Sequence, residues 1–216
     1  NFPLHLVILA LLTTWIANNI KQITVIYFVK YNLQLEAFFS PILLSVILQI
    51  MFGAFLINLI KHKFEKKTLF MIGTFLYVIT DLIIYYITGY ENFWLFAFVA
   101  SFGFVGFGMA GVMAWSMIAD TVEYGEWKSG FRAEGTLNAA HVFVFKLSVG
   151  FSAWLAGYIL DRTNYKPNAE IQSIDTLNGL FIMGYIFPAI AGTIAIIVML
   201  FHNYNGAFYE KIFSEL

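Results

Sequence analysis

Lys21, Asp81, His141 and Lys146 stand out because they are ionisable side chains set inside long apolar runs. A charged lysine at the centre of a bilayer costs about 2.5–3.5 kcal/mol on insertion scales, so such a group needs a wet cavity, an opposite charge or a ligand. Lys146 is the most demanding case. It lies thirteen residues from Ala133 and fourteen from Leu160, too far at about 1.5 Å per residue for its head to reach either surface easily. No carboxylate lies within a turn of it, so its partner must come from another helix, another domain or a ligand. The chemistry open to these groups is reversible binding of charge and of hydroxyl groups. Hydrolytic chemistry lacks its parts: there is no HExxH, no glycine-flanked nucleophilic serine, no cysteine, and the four histidines are scattered. No enzyme is expected.

A second group of charges lies in Asp120–Glu134. Asp120, Glu123, Glu126 and Glu134 stand there with the bases Lys128 and Arg132. Asp120 and Glu123 are three residues apart and share a helical face. Such a mixture at a junction between two apolar segments is either a solvated loop or an ion-pair network that opens and closes. Lys21 sits in a polar patch with Asn18, Asn19 and Gln22. It either faces a wet cavity or snorkels to the near surface. For Asp81 an interhelical hydrogen bond or a protonated carboxyl is the simpler expectation, with a functional role as the alternative.

The elements that must position these residues follow from composition. Of 216 residues, 60% are hydrophobic and 12% charged, against about 25% charged in soluble domains. Six runs reach the roughly 20 residues a span requires: 4–28, 39–60, 68–88, 93–119, 135–160 and 176–201. The fold class expected is an all-α polytopic membrane protein. A transmembrane β-barrel would show alternating segments of about ten residues instead. Net charge is −1, which offers nothing to nucleic acid. The chain starts at Asn1 without a signal-peptide pattern, so a preceding part of a longer protein is expected. Lys61, Lys63, Lys66, Lys67, Lys128, Arg132 and Lys211 fall on one side, and Lys30, Arg162 and Lys166 on the other. The basic side is expected to be cytoplasmic, which places both ends of the segment there.

Small residues mark where helices approach. Gly106, Ala110 and Ala114 follow a small-xxx-small spacing, as do Ser148, Ser152 and Ala156. Pro188 stands inside the sixth span between Gly184 and Gly192, where proline bends a helix. KHKFEKK, 61–67, is expected to be a solvated positive loop.

ADTVEYGEWKSGFRAEG, Ala119–Gly135, followed by FVFKLSVG, Phe143–Gly150, resembles the glycoside–pentoside–hexuronide cation symporters, the melibiose permease family of the major facilitator superfamily. The pattern AD-x-V-[DE]-YGE-[WY]-K…R-x-E with a later lysine is met by Asp120, Val122, Glu123, Tyr124, Gly125, Glu126, Trp127, Lys128, Arg132, Glu134 and Lys146. The opening NFP and the YFVKY stretch of residues 27–31 extend the resemblance over essentially the whole chain, as the carboxy-terminal half of a twelve-span protein. Glu65 stands where the family has glycine, and His141 where relatives often have glutamine.

The resemblance implies a carrier that moves a sugar or glycoside together with Na⁺, H⁺ or Li⁺ by alternating access in the plasma (inner) membrane. It implies that Lys146, His141, Trp115, Asn19 and Lys21 serve substrate and coupling. Asp120, Glu123, Tyr124, Glu126 and Arg132 would form a cytoplasmic gate. The expected partners are the sugar, the coupling cation, lipid and an amino-terminal six-helix half that holds the main cation ligands. No metal or other cofactor is expected. The alternatives are a major facilitator relative for a non-sugar solute and a non-transporting structural subunit, which would not need Lys146 at mid-membrane.

Overall fold

A computed structural model describes residues 2–130, 134–167, 169–202 and 212. Among these residues all regular structure is helical: α1 Phe2–Tyr27, α2 Phe39–Ile60, α3 Lys66–Ile83, α4 Phe93–Ser129, α5 Glu134–Arg162 and α6 Ile174–Leu200. Each of the six is long and apolar enough to cross a membrane. α1 and α3 each close with a π-helical turn, Phe28–Asn32 and Ile84–Thr88.

The fourth helix departs from the sequence expectation of a loop at 120–134. It continues through Asp120, Glu123, Tyr124 and Glu126 to Ser129, 37 residues in all. That is about 55 Å of helix at 1.5 Å per residue, well beyond a hydrocarbon core of about 30 Å. Hydropathy locates where a segment leaves lipid, not where a helix ends. The segment ends at Gly130, whose φ of 69° is left-handed and whose N–H donates to Glu126 O at 2.7 Å, a glycine stop. Arg132 lies outside the described residues.

The helices pack in the spatial order α5, α1, α6, α3, α4, α2. α1, α3, α4 and α6 share the core: Val7, Leu11, Phe70, Met109, Met113 and Met199 meet near one end, and Phe28, Ile84, Phe96 and Tyr185 near the other. α2 and α5 flank this group. Of the 22 residues of α2, Gly53 and Ile57 are buried, while Leu44, Leu48, Met51, Phe52 and Phe55 are exposed. An exposed apolar face of this kind suits lipid or another helix bundle.

Glycines of α4 work as close-packing points on two sides. A Cβ at Gly106 would stand 2.5 Å from Gly73 O of α3, and one at Gly108 2.1 Å from Ile50 O of α2. Both neighbours are backbone atoms that cannot step aside. Gly108→Ala is therefore expected to unseat α2 and cost about 1–3 kcal/mol or more. Gly111→Ala, where nothing lies within 4 Å, is expected to be neutral or up to about 1 kcal/mol stabilising. Unfolding midpoints in detergent check this, and equal midpoints for the two variants would refute the α2–α4 contact. The second small-residue stripe also sits at a helix contact: Ser148, Ser152 and Ala156 are all buried, and Ser152 Oγ donates to Ile16 O of α1 at 3.4 Å. α6 runs unbroken through Pro188, which leaves the carbonyl of Gly184 without its helical donor.

Candidate functional site

Lys21 does not snorkel. Its ammonium turns inward and pairs with Asp81 of α3, sixty residues away in sequence. Asp81 is 0% exposed, and its second oxygen, Oδ2, has no hydrogen-bond partner among the described residues. Three rings surround the ammonium: Tyr77 at 4.4 Å, Tyr185 at 5.1 Å and Phe104 at 5.4 Å from Nζ to the centroid. Ring faces carry negative potential and stabilise a cation there. The two intramembrane charges thus answer each other, an arrangement that neither helix discloses alone. Asp81 makes an interhelical bond, as expected, but to a charged partner.

Lys21 also lines a cavity of about 450 Å³ between α1, α2 and α4. Asn18 and Gln22 line the same space from α1, Phe104 and Phe107 from α4, and Tyr185 from α6. Asn18, Lys21, Gln22 and Val25 follow the three-to-four spacing of one helical face. The volume falls in the range of small-molecule pockets, about 300–1,000 Å³.

A second cluster forms where α1, α4 and α5 meet. Trp115 lies against His141 with ring centroids 4.1 Å apart, and the edge of Trp15 approaches the same imidazole at 6.3 Å. His141 is buried with Nε2 unpartnered among the described residues, and the indole nitrogen of Trp15 is in the same condition. Asn19 Nδ2 donates to Ser148 Oγ at 2.9 Å, which locks α1 to α5. Asn19 is therefore committed to a helix contact and sits on a different face from Asn18. Lys146 is exposed on α5, and no carboxylate among the described residues forms an ion pair with it. Trp115 is half exposed. The structure brings Trp115 and His141 together and leaves Lys146 on a neighbouring face of α5, as their five-residue spacing implies.

At the basic end, Asp120 pairs with Lys66 at the start of α3, Oδ1 to Nζ 2.5 Å. Lys67 donates to His202 O at 2.6 Å and Leu200 O at 3.3 Å, tying down the end of α6. Burial, then the Lys67 charge, hold the His202 imidazole below its ordinary range. Lys128 lies over the Tyr124 ring at 5.9 Å. Proximity in sequence offers Asp120 the bases Lys128 and Arg132; its partner in the structure is Lys66, from the 61–67 stretch expected to be a solvated loop. Its signal was present, since a lysine in the first turn of a helix is electrostatically misplaced unless a carboxylate answers it.

A family model described as MFS/sugar transport protein matches residues 1–206. The chain belongs to this family. A Salmonella typhimurium protein named as a candidate 2,3-dihydroxypropane-1-sulfonate exporter is 33% identical over all of this chain and 46% of its own length. An Escherichia coli protein named as a candidate sulfoquinovose importer is 31% identical with the same coverage. The isoprimeverose transporter of Lactiplantibacillus pentosus is 27% identical over 94% of this chain and 42% of its own. The chain spans about half the length of these relatives. A six-helix, multi-pass member of the MFS/sugar transport family is thus one half of the length its relatives have, as the motif around Asp120 and Lys146 implies. The family and these relatives are transporters.

Proposed function

We propose that the chain is the carboxy-terminal six-helix half of a sugar or glycoside:cation symporter that works by alternating access. The observation that carries this reading is the family match through all six spans. In this reading two six-helix bundles rock around a site at their interface, and this half contributes one wall. Lys146, exposed at mid-span on α5, reaches across to carboxylates of the other half and to sugar hydroxyls. Cation binding at those carboxylates competes with the ammonium and so couples the two solutes. Trp115 and His141 form an aromatic and imidazole wall, Asn19 holds α1 against α5, and Lys21 faces the cavity between α1 and α2. Asp120, Glu123, Tyr124 and Glu126 ride on the projecting end of α4, where with Arg132 they close the basic side. The coupling ion is Na⁺, H⁺ or Li⁺. The protein sits in the plasma (inner) membrane with both ends of this segment cytoplasmic, following the bias of Lys and Arg. No catalysis is expected.

A second reading, a non-sugar solute, is favoured by one observation: the 33% identical relative is named for a sulfonated diol. Vesicles bearing the longest natural chain that includes this sequence separate the two. Labelled neutral glycosides, sugar acids and the sulfonated diol are offered under Na⁺ or H⁺ gradients. Gradient-driven accumulation of a sugar is the expected result. Uptake of the diol with no sugar gives the second reading, and no uptake at all by inserted, folded protein removes both.

A further inference from the structure

Among the described residues, Asp81 communicates with the cavity between α1, α2 and α4 through Lys21. Asp81 is 0% exposed and does not line that cavity. Lys21 does line it, and its ammonium donates to Asp81 Oδ1. Oδ2 has no hydrogen-bond partner among the described residues, although buried polar atoms as a rule have one. The ionisable groups that face the carboxylate are Lys21 from α1, Tyr77 on its own helix and Tyr185 from α6. The Tyr77 hydroxyl is already committed, donating to Ala17 O at 3.4 Å. α4 brings Phe104 to the ammonium and carries no ionisable residue from Phe93 to Ala119. This setting selects among cations. A metal cation needs a shell of oxygen ligands. Here it would meet one carboxylate, three rings and a resident ammonium that repels it. A proton needs one oxygen and a donor in line with it, and both are present.

We infer that the Lys21–Asp81 pair is a proton-binding site of this half, through which H⁺ is coupled to the solute. This rests on the symport reading above and names the coupling ion and a place for it on this chain. The step balances. Lys21 Nζ passes a proton to Asp81 along the hydrogen bond already formed, and takes one back from hydronium in the cavity, which leaves as water. The ammonium is restored, the carboxylate has become a neutral carboxyl, and the pair has gained one positive charge. Release runs through the same two transfers in reverse. While Asp81 is ionised it holds the ammonium as an ion pair. Once Asp81 is neutral that hold weakens, and the ammonium turns its donors to solute hydroxyls in the cavity. A solute that engages Lys21 in turn favours the protonated carboxyl. By linkage, proton and solute each raise the affinity for the other by the same factor. The rings of Tyr77, Tyr185 and Phe104 stabilise the ammonium at this spot in both states, so loss of the carboxylate charge does not leave it without support.

The test uses the longest natural chain containing these residues, reconstituted into lipid. Infrared difference spectra record the C=O stretch of protonated carboxyls as the pH is lowered from about 9 to about 5. In the parent a band is expected to grow as the pH falls. In the double variant Lys21→Met/Asp81→Asn, which removes both charges together and strands neither, that band is expected to be lost. Asp81→Glu keeps the pair and is expected to keep the band at a displaced frequency, which assigns it should the double variant fail to fold. Uptake of the labelled solutes named above is measured on the same proteins under a proton gradient and under a Na⁺ gradient. The proton gradient is expected to drive accumulation in the parent, and the double variant to lose it by about fivefold or more. A parent without the band overturns the inference, as does a band that persists undiminished in the double variant or undisplaced in Asp81→Glu. So does proton-driven accumulation that the double variant keeps. Gradient-driven uptake by the parent alongside any of these leaves the symport reading standing. No uptake by folded parent under either gradient removes that reading and the coupling role with it.

Discussion

Lys21→Met is expected to lower the stability of the folded protein by about 3–5 kcal/mol, the usual consequence of stranding one member of a buried ion pair. Asp81 is fully buried, with one oxygen bonded to Lys21 and the other without a partner among the described residues. Removing the ammonium leaves a carboxylate in a low-dielectric interior that must stay charged at high cost or take up a proton. Asp81→Asn is expected to be costly for the mirror reason, softened by the three rings around the ammonium. The double variant Lys21→Met/Asp81→Asn is expected to recover most of the loss, because replacing both members of such a pair is often near neutral. Unfolding midpoints of the four proteins in one detergent form a double-mutant cycle. Additive losses, with no recovery in the double variant, would mean that the two charges do not meet in the folded protein.

Lys146→Met is expected to leave stability nearly unchanged while reducing sugar affinity and cation-driven accumulation by roughly 10- to 100-fold. The contrast with Lys21 follows from surroundings. Lys146 is exposed on α5 and has no carboxylate paired with it among the described residues, so its removal strands nothing within this bundle. A hydrogen bond to a charged group is worth about 1.5–3 kcal/mol, which sets the range of the affinity loss. Under the proposed function the same change uncouples the cation, so uptake under an imposed gradient falls to that seen without one. Counterflow and gradient-driven uptake measured side by side check this. Full accumulation in the variant removes Lys146 from the coupling mechanism.

The two lysines show what can be read from one chain and what cannot. Six spans, the all-α class and the family were legible in the sequence alone. Hydrophobic length is a local property, and the run from Asp120 to Lys146 carries many charged and aromatic residues at fixed spacing. The stripe Ser148, Ser152, Ala156 was legible for a similar reason: a four-residue repeat of small side chains is a contact surface whichever helix it meets. The tertiary structure decided the partners. Lys21 and Asp81 lie sixty residues apart and Lys66 and Asp120 fifty-four. Their meeting depends on the rotation and neighbour order of α1, α3 and α4: α3 and α4 close on each other at Gly73 and Gly106, and α6 brings Gly184 against Thr24 of α1 and Gly192 against Val78 of α3. The same holds for Asn18 and Asn19, adjacent in sequence, where one faces a cavity and the other locks α5. The length of α4 was hidden for another reason: apolarity reports which residues prefer lipid, and a helix leaves lipid without having to end. Sequence determined what must enter the membrane and which residues are too polar to be there idly. The folded bundle determined which of those charges neutralise one another, because each helix exposes all its faces in sequence and only packing selects the face that is buried.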